Sequence, residues 1–235
     1  MKQLLIIQVL ILVAFSTPAQ TMEGAWQHKD GSIKDVLLLA DGYLTHTRYD
    51  DAAKTFLFTA GGPYYFTNNK LTVHYEFDSR DTANIGKEIT YAAEIKNGSF
   101  QTNMNNHSQS FDRSDAGRQG LAGLWEISGR MQNGQLQEIN RRGTRKTIKI
   151  LTGSRFQWAA IDPGTKQFMG TGGGRYTFAN GKYTEHIEFF SRDSSRVGQS
   201  LSFDGEIKNG DWHHSGLSSR GDPIYEVWRR SVNKN

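Results

Sequence analysis

Glu94-Ile95-Lys96-Asn97-Gly98 recurs 112 residues later as Glu206-Ile207-Lys208-Asn209-Gly210, and Ser79-Arg80-Asp81 recurs at the same offset as Ser191-Arg192-Asp193. At this offset residues 38–100 align with 150–212 without a gap, and 24 of the 63 pairs are identical. A period this long indicates the duplication of a whole domain rather than a solenoid repeat. Positions kept in both copies are expected to serve the common fold. Positions that differ in chemistry are candidates for function.

The segments between turns alternate in polarity with a period of two. In the second copy Tyr183, Glu185, Ile187 and Phe189 share one face of a predicted strand, and in the first copy Leu71, Val73, Tyr75 and Phe77 do the same. Such alternation is typical of antiparallel strands with one face in a core and the other near water. No long stretch shows the 3.6-residue period of a helix.

The turn residues support the same interpretation. Asn97-Gly98 and Asn209-Gly210 each separate two strand-like runs, and both residue types tolerate the positive φ of a type I′ hairpin turn. The pairs Gly61-Gly62 and Gly173-Gly174 predict a bulge or a sharp bend. We expect about eight strands in each copy. The predicted fold class is all-β, with two tandem small antiparallel up-and-down barrels, because closure removes exposed sheet edges.

The chain divides into a predicted leader and two domains. Residues 1–20 are typical of a secretory signal peptide, with Lys2, an apolar run and small residues before a cleavage site near Ala19 or Gln20. The apolar run is shorter than the roughly 20 residues of a membrane span, so no transmembrane anchor is expected. The predicted domains are barrel 1 over residues 22–115, a linker over 116–122, and barrel 2 over 123–232. The predicted location is periplasmic or secreted.

Composition excludes several classes of site. The chain has no cysteine, which excludes disulfides, thiolate metal ligands and cysteine nucleophiles. The formal charge of +4 falls to +3 without Lys2, a small excess that predicts no nucleic-acid partner. One basic cluster lies in and beside an insertion of the second copy, and we interpret it as a solvated hairpin. Its members are Arg141, Arg142, Arg145, Lys146 and Lys149.

Each copy opens with Gly-x-Trp, at Trp26 and Trp125, and each closes with an aromatic residue followed by arginine, at Arg113 and at Arg229 and Arg230. With the ordered segments 146–158, 172–178 and 183–189, this pattern resembles the lipocalin (calycin) arrangement. It is similar to uncharacterised lipocalin-like domains secreted by Gram-negative bacteria. The resemblance implies that a last-strand arginine covers the first-strand tryptophan, pairing Trp26 with Arg113, and Trp125 with Arg229 or Arg230. It also implies a fold suited to binding small ligands. No cofactor is predicted.

The inward face of the barrels holds the first set of candidate ligand-binding residues. In the second copy large side chains on neighbouring strands fall in register, with one acid, Glu185, among them. An apolar pocket with a few polar anchors is how small-molecule sites are built, although small barrels also fill their lumens with side chains. The candidate residues are Trp158, Tyr176, Glu185, Phe189 and Phe203 in copy two, and His46, Arg48 and Tyr75 in copy one.

A repeated His-x-Glu pattern forms an alternative polar site. His74 with Glu76, and His186 with Glu188, share a strand face, and Arg80 or Arg192 follows nearby. Two ligands do not make a metal site, so no metal is predicted. The competing interpretation is an ion pair on the outer face or a contact between the two barrels. The adjacent pair His213-His214 is interpreted as part of an exposed hairpin, since neighbouring residues on a strand point to opposite faces.

Three function hypotheses remain open. The first is an exported, non-catalytic binding protein for a small, partly apolar molecule. The second is a structural or interaction module of the cell envelope with solidly packed barrels. The third is a hydrolase- or isomerase-type enzyme using His186, Glu188 and Arg192, although no nucleophile-elbow motif supports catalysis.

Overall fold

The computed structural model describes residues 21–117, 119–139, 143–218 and 220–231. It contains two closed antiparallel β-barrels of eight strands each, in tandem, which confirms the predicted fold class and the internal duplication. The predicted signal peptide at 1–20 lies outside the described residues, as do Arg141 and Arg142 of the basic cluster. No helix in the described ranges has the length and apolar character needed to cross a bilayer.

Barrel 1 closes through pairing of its first and last strands, β1 and β9. Its strand β6 continues the course of β5 after a break, so nine strand segments form the eight strands of the barrel. The segments are β1 (Gly24–Asp30), β2 (Ile33–Ala40), β3 (Tyr43–Asp50), β4 (Thr55–Thr67), β5 (Lys70–His74), β6 (Phe77–Asp78), β7 (Glu88–Lys96), β8 (Ser99–Thr102) and β9 (Gln109–Asp115).

Barrel 2 closes in the same way, through β10 and β18. Strand β11 extends a hairpin from β10 and lies outside the eight-stranded ring. The segments are β10 (Gly123–Gln132), β11 (Gln135–Glu138), β12 (Lys146–Leu151), β13 (Arg155–Asp162), β14 (Gln167–Ala179), β15 (Lys182–Phe190), β16 (Ser200–Lys208), β17 (Asp211–Leu217) and β18 (Pro223–Arg230). Each barrel also has one turn of 3₁₀ helix, at Thr82–Asn84 and Ser194–Arg196.

A β-bulge in β15 reverses the inward and outward alternation near the end of that strand. Gly174 pairs with Ile187 and Gly173 pairs with Phe189. Glu188 is therefore an extra residue of β15 that is paired with no residue of β14. A Cβ on Gly174 would lie 2.1 Å from the carbonyl oxygen of His186, which explains why glycine is needed at this close approach. The prediction that Phe189 lines the lumen is therefore wrong: it faces barrel 1, and Phe190 faces the lumen.

A tryptophan covered by an arginine closes one end of each barrel. The guanidinium of Arg113 lies 4.1 Å from the ring of Trp26, and that of Arg230 lies 5.1 Å from the ring of Trp125. In barrel 2 the partner is Arg230 and not Arg229, because Arg229 points to the opposite side of β18 and contacts Asp211 at 3.4 Å.

The two barrels pack against each other around an approximate two-fold axis. Phe56 stacks on Phe168, its own counterpart at the 112-residue offset, with ring centroids 6.3 Å apart and planes inclined by 12°. The contacts Phe77–Phe168 and Phe56–Phe189 are equivalent under this exchange, and both measure 6.4 Å. Self-complementary contacts of this kind define an isologous interface. Part of the outward face of each barrel is therefore buried in a second hydrophobic core, which lies between the two barrels.

Polar contacts surround this shared apolar core. Glu76 accepts a hydrogen bond from Lys146 at 2.7 Å, and Glu188 accepts one from Tyr49 at 2.6 Å, each across the interface. The carboxylate of Asp115, at the end of barrel 1, accepts hydrogen bonds from the backbone of residues 153 and 154 in barrel 2. The segment that joins the barrels is thus anchored to both.

Gln157 is the central polar residue of the interface and is fully buried. Its amide nitrogen donates to Thr59 and Thr171, and its amide oxygen accepts from Thr47 at 2.9 Å. Gln157→Leu is expected to lower the free energy of unfolding by about 2 kcal/mol, because the threonine hydroxyls lose buried partners. Thr45 is the matched control, since it occupies the equivalent position in barrel 1 and its hydroxyl has no hydrogen-bond partner in the described part of the chain. In urea unfolding, equal losses for Gln157→Leu and Thr45→Val would contradict the assigned role.

Candidate functional site

The lumen of barrel 2 contains a cavity of about 350 Å³. This volume lies within the range of small-molecule sites and is about twice the roughly 150 Å³ of an engineered protein cavity that binds benzene. Its walls are mainly apolar, and charged side chains gather at one part of the lining. The principal apolar lining residues are Trp158, Ile187, Phe190, Leu201, Phe203 and Trp228.

The small side chain of Ala160 leaves part of this space open in barrel 2. Ala160 pairs with Gly170 across β13 and β14, at the positions where barrel 1 pairs Arg48 with Phe58. Ala160 lines the cavity. Beside Gly170 the space is taken by Arg192, since a Cβ there would lie 2.8 Å from its Nε. The replacement of Arg48 by Ala160 is therefore the change at this pair that widens the lumen of barrel 2.

In barrel 1 the corresponding region is occupied by stacked side chains. The ring of Phe58 lies edge-on to His46 at 4.9 Å, and the guanidinium of Arg80 covers Phe58 at 3.5 Å. His46 is buried and its Nε2 lies 3.1 Å from Asp35. Burial alone would raise the pKa of Asp35, but the contacts with His46 and Arg48 outweigh it and hold that pKa below its usual value. His46 and Arg48 are therefore parts of a packed, ion-paired lumen.

A buried ion pair forms the first polar group of the barrel 2 cavity. Lys149 Nζ lies 2.9 Å from Glu185 Oε1, and both side chains are less than 10% exposed. The hydroxyl of Tyr183 donates to the same oxygen at 3.0 Å. Four aromatic rings surround the ammonium at 4.9–5.9 Å and make cation–π contacts with it.

Glu226 forms the second polar group. It accepts a hydrogen bond from Arg130 at 2.8 Å and one from the indole nitrogen of Trp228 at 3.2 Å. Burial acts to raise the pKa of Glu226, but His214, Lys149 and Arg130 together lower it to about 2. Glu226 is therefore ionised at neutral pH and is paired with Arg130.

His214 lies beside these pairs and is only 2% exposed. Burial lowers the pKa of this imidazole below its usual value, with Lys149 acting in the same direction and Glu226 opposing. Its Nδ1 is 3.7 Å from Glu226, which is too long for a hydrogen bond. Within the described residues neither ring nitrogen has a hydrogen-bond partner. His214 is therefore neutral at pH 7 and has unused hydrogen-bonding capacity.

Apart from Phe189, which lies at the interface, the residues predicted to bind ligand are distributed between three places. Trp158, Glu185 and Phe203 line the cavity. Tyr176 packs in the same core outside the cavity lining, with its hydroxyl donating to the carbonyl of Thr152 at 2.7 Å. In barrel 1, Tyr75 is buried and its hydroxyl is 2.9 Å from that of Tyr91.

The alternative polar site is not assembled in this fold. Glu76 and Glu188 lie at the interface between the barrels, where Glu188 also contacts Arg155 at 2.9 Å. His186 contacts Ser200 on the neighbouring strand, and His74 is exposed. Arg80 covers Phe58, while the guanidinium of Arg192 approaches Gly170. His186 and Glu188 both line one pocket at the interface, together with Lys34 and Arg175, but the other four residues do not line it. Within the described ranges no three His, Asp or Glu side chains are grouped closely enough to hold a metal ion.

Sequence reasoning missed Lys149, His214, Glu226 and Arg130 as site residues. Lys149 was assigned to the exposed basic cluster and His214 to an exposed hairpin, and both assignments are wrong because both residues are buried in barrel 2. One signal was present in the duplication. Lys149 and Glu185 align with Leu37 and Val73. An opposite-charge pair in one copy thus replaces an apolar pair in the other.

No protein-family model matches the chain, and no curated protein sequence is significantly similar to it.

Proposed function

We propose that the protein is an exported, non-catalytic binding protein that holds a small, partly apolar molecule in the lumen of barrel 2. The observation that carries this proposal is the cavity itself, which combines aromatic and aliphatic walls with a few buried polar groups. A lumen required only for stability would be expected to be filled, as barrel 1 is at the stack of His46, Phe58 and Arg80. The proposed location, the periplasm or the exterior, rests on the predicted signal peptide.

Barrel 1 suits a different role in the same protein. Its lumen carries the stack of His46, Phe58 and Arg80, and its outer face forms half of the interface with barrel 2. We propose that barrel 1 is a scaffold that supports the binding barrel. We propose that any contact with another envelope protein is made by barrel 1. The enzyme hypothesis receives no support from His186, Glu188 and Arg192, because Arg192 lies beside Gly170 and does not line the pocket that His186 and Glu188 share.

The proposal is tested first on the protein as its own cells make it. The mature protein is purified from the native envelope, and its mass is measured under native and denaturing conditions. A discrete adduct that is lost on denaturation is expected, and its mass would identify the ligand. A clean apo mass, together with no binding of 2-methylnaphthalene at its solubility limit, would contradict the proposal.

Ala160→Phe is expected to weaken the binding of 2-methylnaphthalene by at least about ten-fold, equivalent to 1.4 kcal/mol, because the added ring occupies part of the cavity. Binding is followed by the shifts of backbone amide signals in NMR titrations. The matched control is Arg48→Ala, which changes the equivalent position in barrel 1 and is expected to leave the affinity unaltered. If Ala160→Phe binds the probe as tightly as the unmodified protein does, this cavity is not the site.

A further inference from the structure

The formal charges that line the cavity are all paired with one another or with a neighbour. Lys149 pairs with Glu185 at 2.9 Å, and Arg130 pairs with Glu226 at 2.8 Å. Arg196, which also lines the cavity, is 3.0 Å from Asp193. Each charge that the described residues place on the lining therefore has a counter-ion. A ligand that brought a charge of its own would be desolvated without a partner, or would have to separate an existing pair.

His214 is the exception among the polar lining residues, because its hydrogen bonds are not used. Its ring is fixed by contacts with Phe203 at 4.1 Å, Trp212 at 5.2 Å and Tyr183 at 5.6 Å. A neutral imidazole offers one donor and one acceptor, and neither has a hydrogen-bond partner among the described residues. Leaving such groups buried and unpaired is costly, so a ligand that supplies the missing partner gains affinity. Both nitrogens are covered by neighbouring side chains, so the ligand must displace part of this cover to reach them.

We propose that the ligand of barrel 2 carries no net charge and presents a hydroxyl or carbonyl group to His214. A hydroxyl can pair with either ring nitrogen, since it both donates and accepts, whereas a carbonyl pairs with the N–H alone. The remainder of the ligand is apolar and lies against the aromatic walls. This inference rests on the proposed binding function and adds the chemistry of the polar group.

Four probes that share one bicyclic body test the inference. They are 2-methylnaphthalene, 2-naphthalenemethanol, 2-naphthoate and 2-naphthylmethylammonium, and their affinities are measured at pH 7.5 by NMR titration of the full chain. The alcohol is expected to bind at least ten-fold more tightly than either charged probe, and more tightly than the methyl compound. The ring nitrogen signals of His214 are expected to shift on binding the alcohol and not on binding 2-methylnaphthalene.

His214→Phe provides the second measurement, because phenylalanine keeps a ring at this position and removes both hydrogen-bonding atoms. The variant is expected to lose about ten-fold in affinity for the alcohol and to retain its affinity for 2-methylnaphthalene. Retention of the methyl compound shows that the cavity is intact. If the variant does not fold, the order of the four affinities in the unmodified protein still tests the inference.

The outcomes separate this inference from the proposed function. Tighter binding of 2-naphthoate or of the ammonium probe would overturn the neutral-ligand inference and leave the binding function standing. Equal binding of the alcohol and the methyl compound would also overturn it, since His214 would then contribute nothing. If none of the four probes binds, the binding function itself fails and the inference fails with it.

Discussion

Glu185→Val is expected to lower the free energy of unfolding by about 3–5 kcal/mol, because it leaves the ammonium of Lys149 buried without its carboxylate. Lys149→Leu is expected to cost a similar amount, since Glu185 would then be the unpaired buried charge. These are large effects relative to the 5–15 kcal/mol that typically stabilises a folded protein.

The double variant Lys149→Leu/Glu185→Val is expected to recover most of this loss, because replacing a buried ion pair by apolar side chains is often neutral or stabilising. Barrel 1 supplies the control, since Leu37 and Val73 already occupy the equivalent positions and are fully buried. Urea unfolding followed by tryptophan fluorescence reports mainly on barrel 2, which holds Trp125, Trp158, Trp212 and Trp228 of the five tryptophans. Additive losses in the double variant would show that the two residues act independently.

The acid sensitivity of barrel 2 is expected to depend on Glu226. Arg130, Lys149 and His214 overcome the effect of burial and lower the pKa of Glu226 from 4.5 to about 2, which corresponds to about 3 kcal/mol. A carboxyl group whose pKa is lower in the folded state stabilises the fold above the pKa of the unfolded chain. Its contribution is therefore fully present above about pH 5 and is lost as the pH falls towards 2.

Glu226→Gln removes this titration and keeps the shape of the side chain. The difference in unfolding free energy between the unmodified protein and the variant is expected to reach about 3 kcal/mol at pH 7 and to shrink towards zero near pH 2. Glu206→Gln is the control for the loss of one carboxylate, because Glu206 is 57% exposed. A difference that stays constant between pH 7 and pH 2 would show that Glu226 stabilises the fold through shape rather than charge.

The fold could be predicted from the sequence because its signals are local and repeated. The Asn-Gly turns at 97–98 and 209–210 adopt positive φ as their residue types require, and the alternation of residues 183–187 places the inner face correctly. Alternation failed at Phe189, where Glu188 is an extra residue in the strand. Gly173 and Gly174 indicated a bulge, but a glycine pair does not tell which partner strand carries the extra residue.

The candidate site was harder to predict, because both faces of several strands are buried. In β12 the outward residues Ile148 and Ile150 pack against barrel 1, while Lys149 between them faces the lumen. A lysine between two isoleucines therefore has the pattern of a surface residue on a half-buried strand, although here the isoleucines mark the interface. His214 was misassigned for a related reason, since the adjacent pair His213-His214 gives no indication of which imidazole faces the lumen.

The stacked pair Phe56 and Phe168 relates the barrels as two identical subunits would be related in a dimer. Because both halves belong to one chain, their association does not weaken on dilution, and the tether supplies a local concentration in the millimolar range. Separate barrels with the same contacts would dissociate in a dilute compartment. Covalent linkage has a genetic consequence as well. A substitution in a homodimer changes both lumens at once, whereas here Arg48 and Phe58 can fill one barrel while Ala160 leaves space in the other.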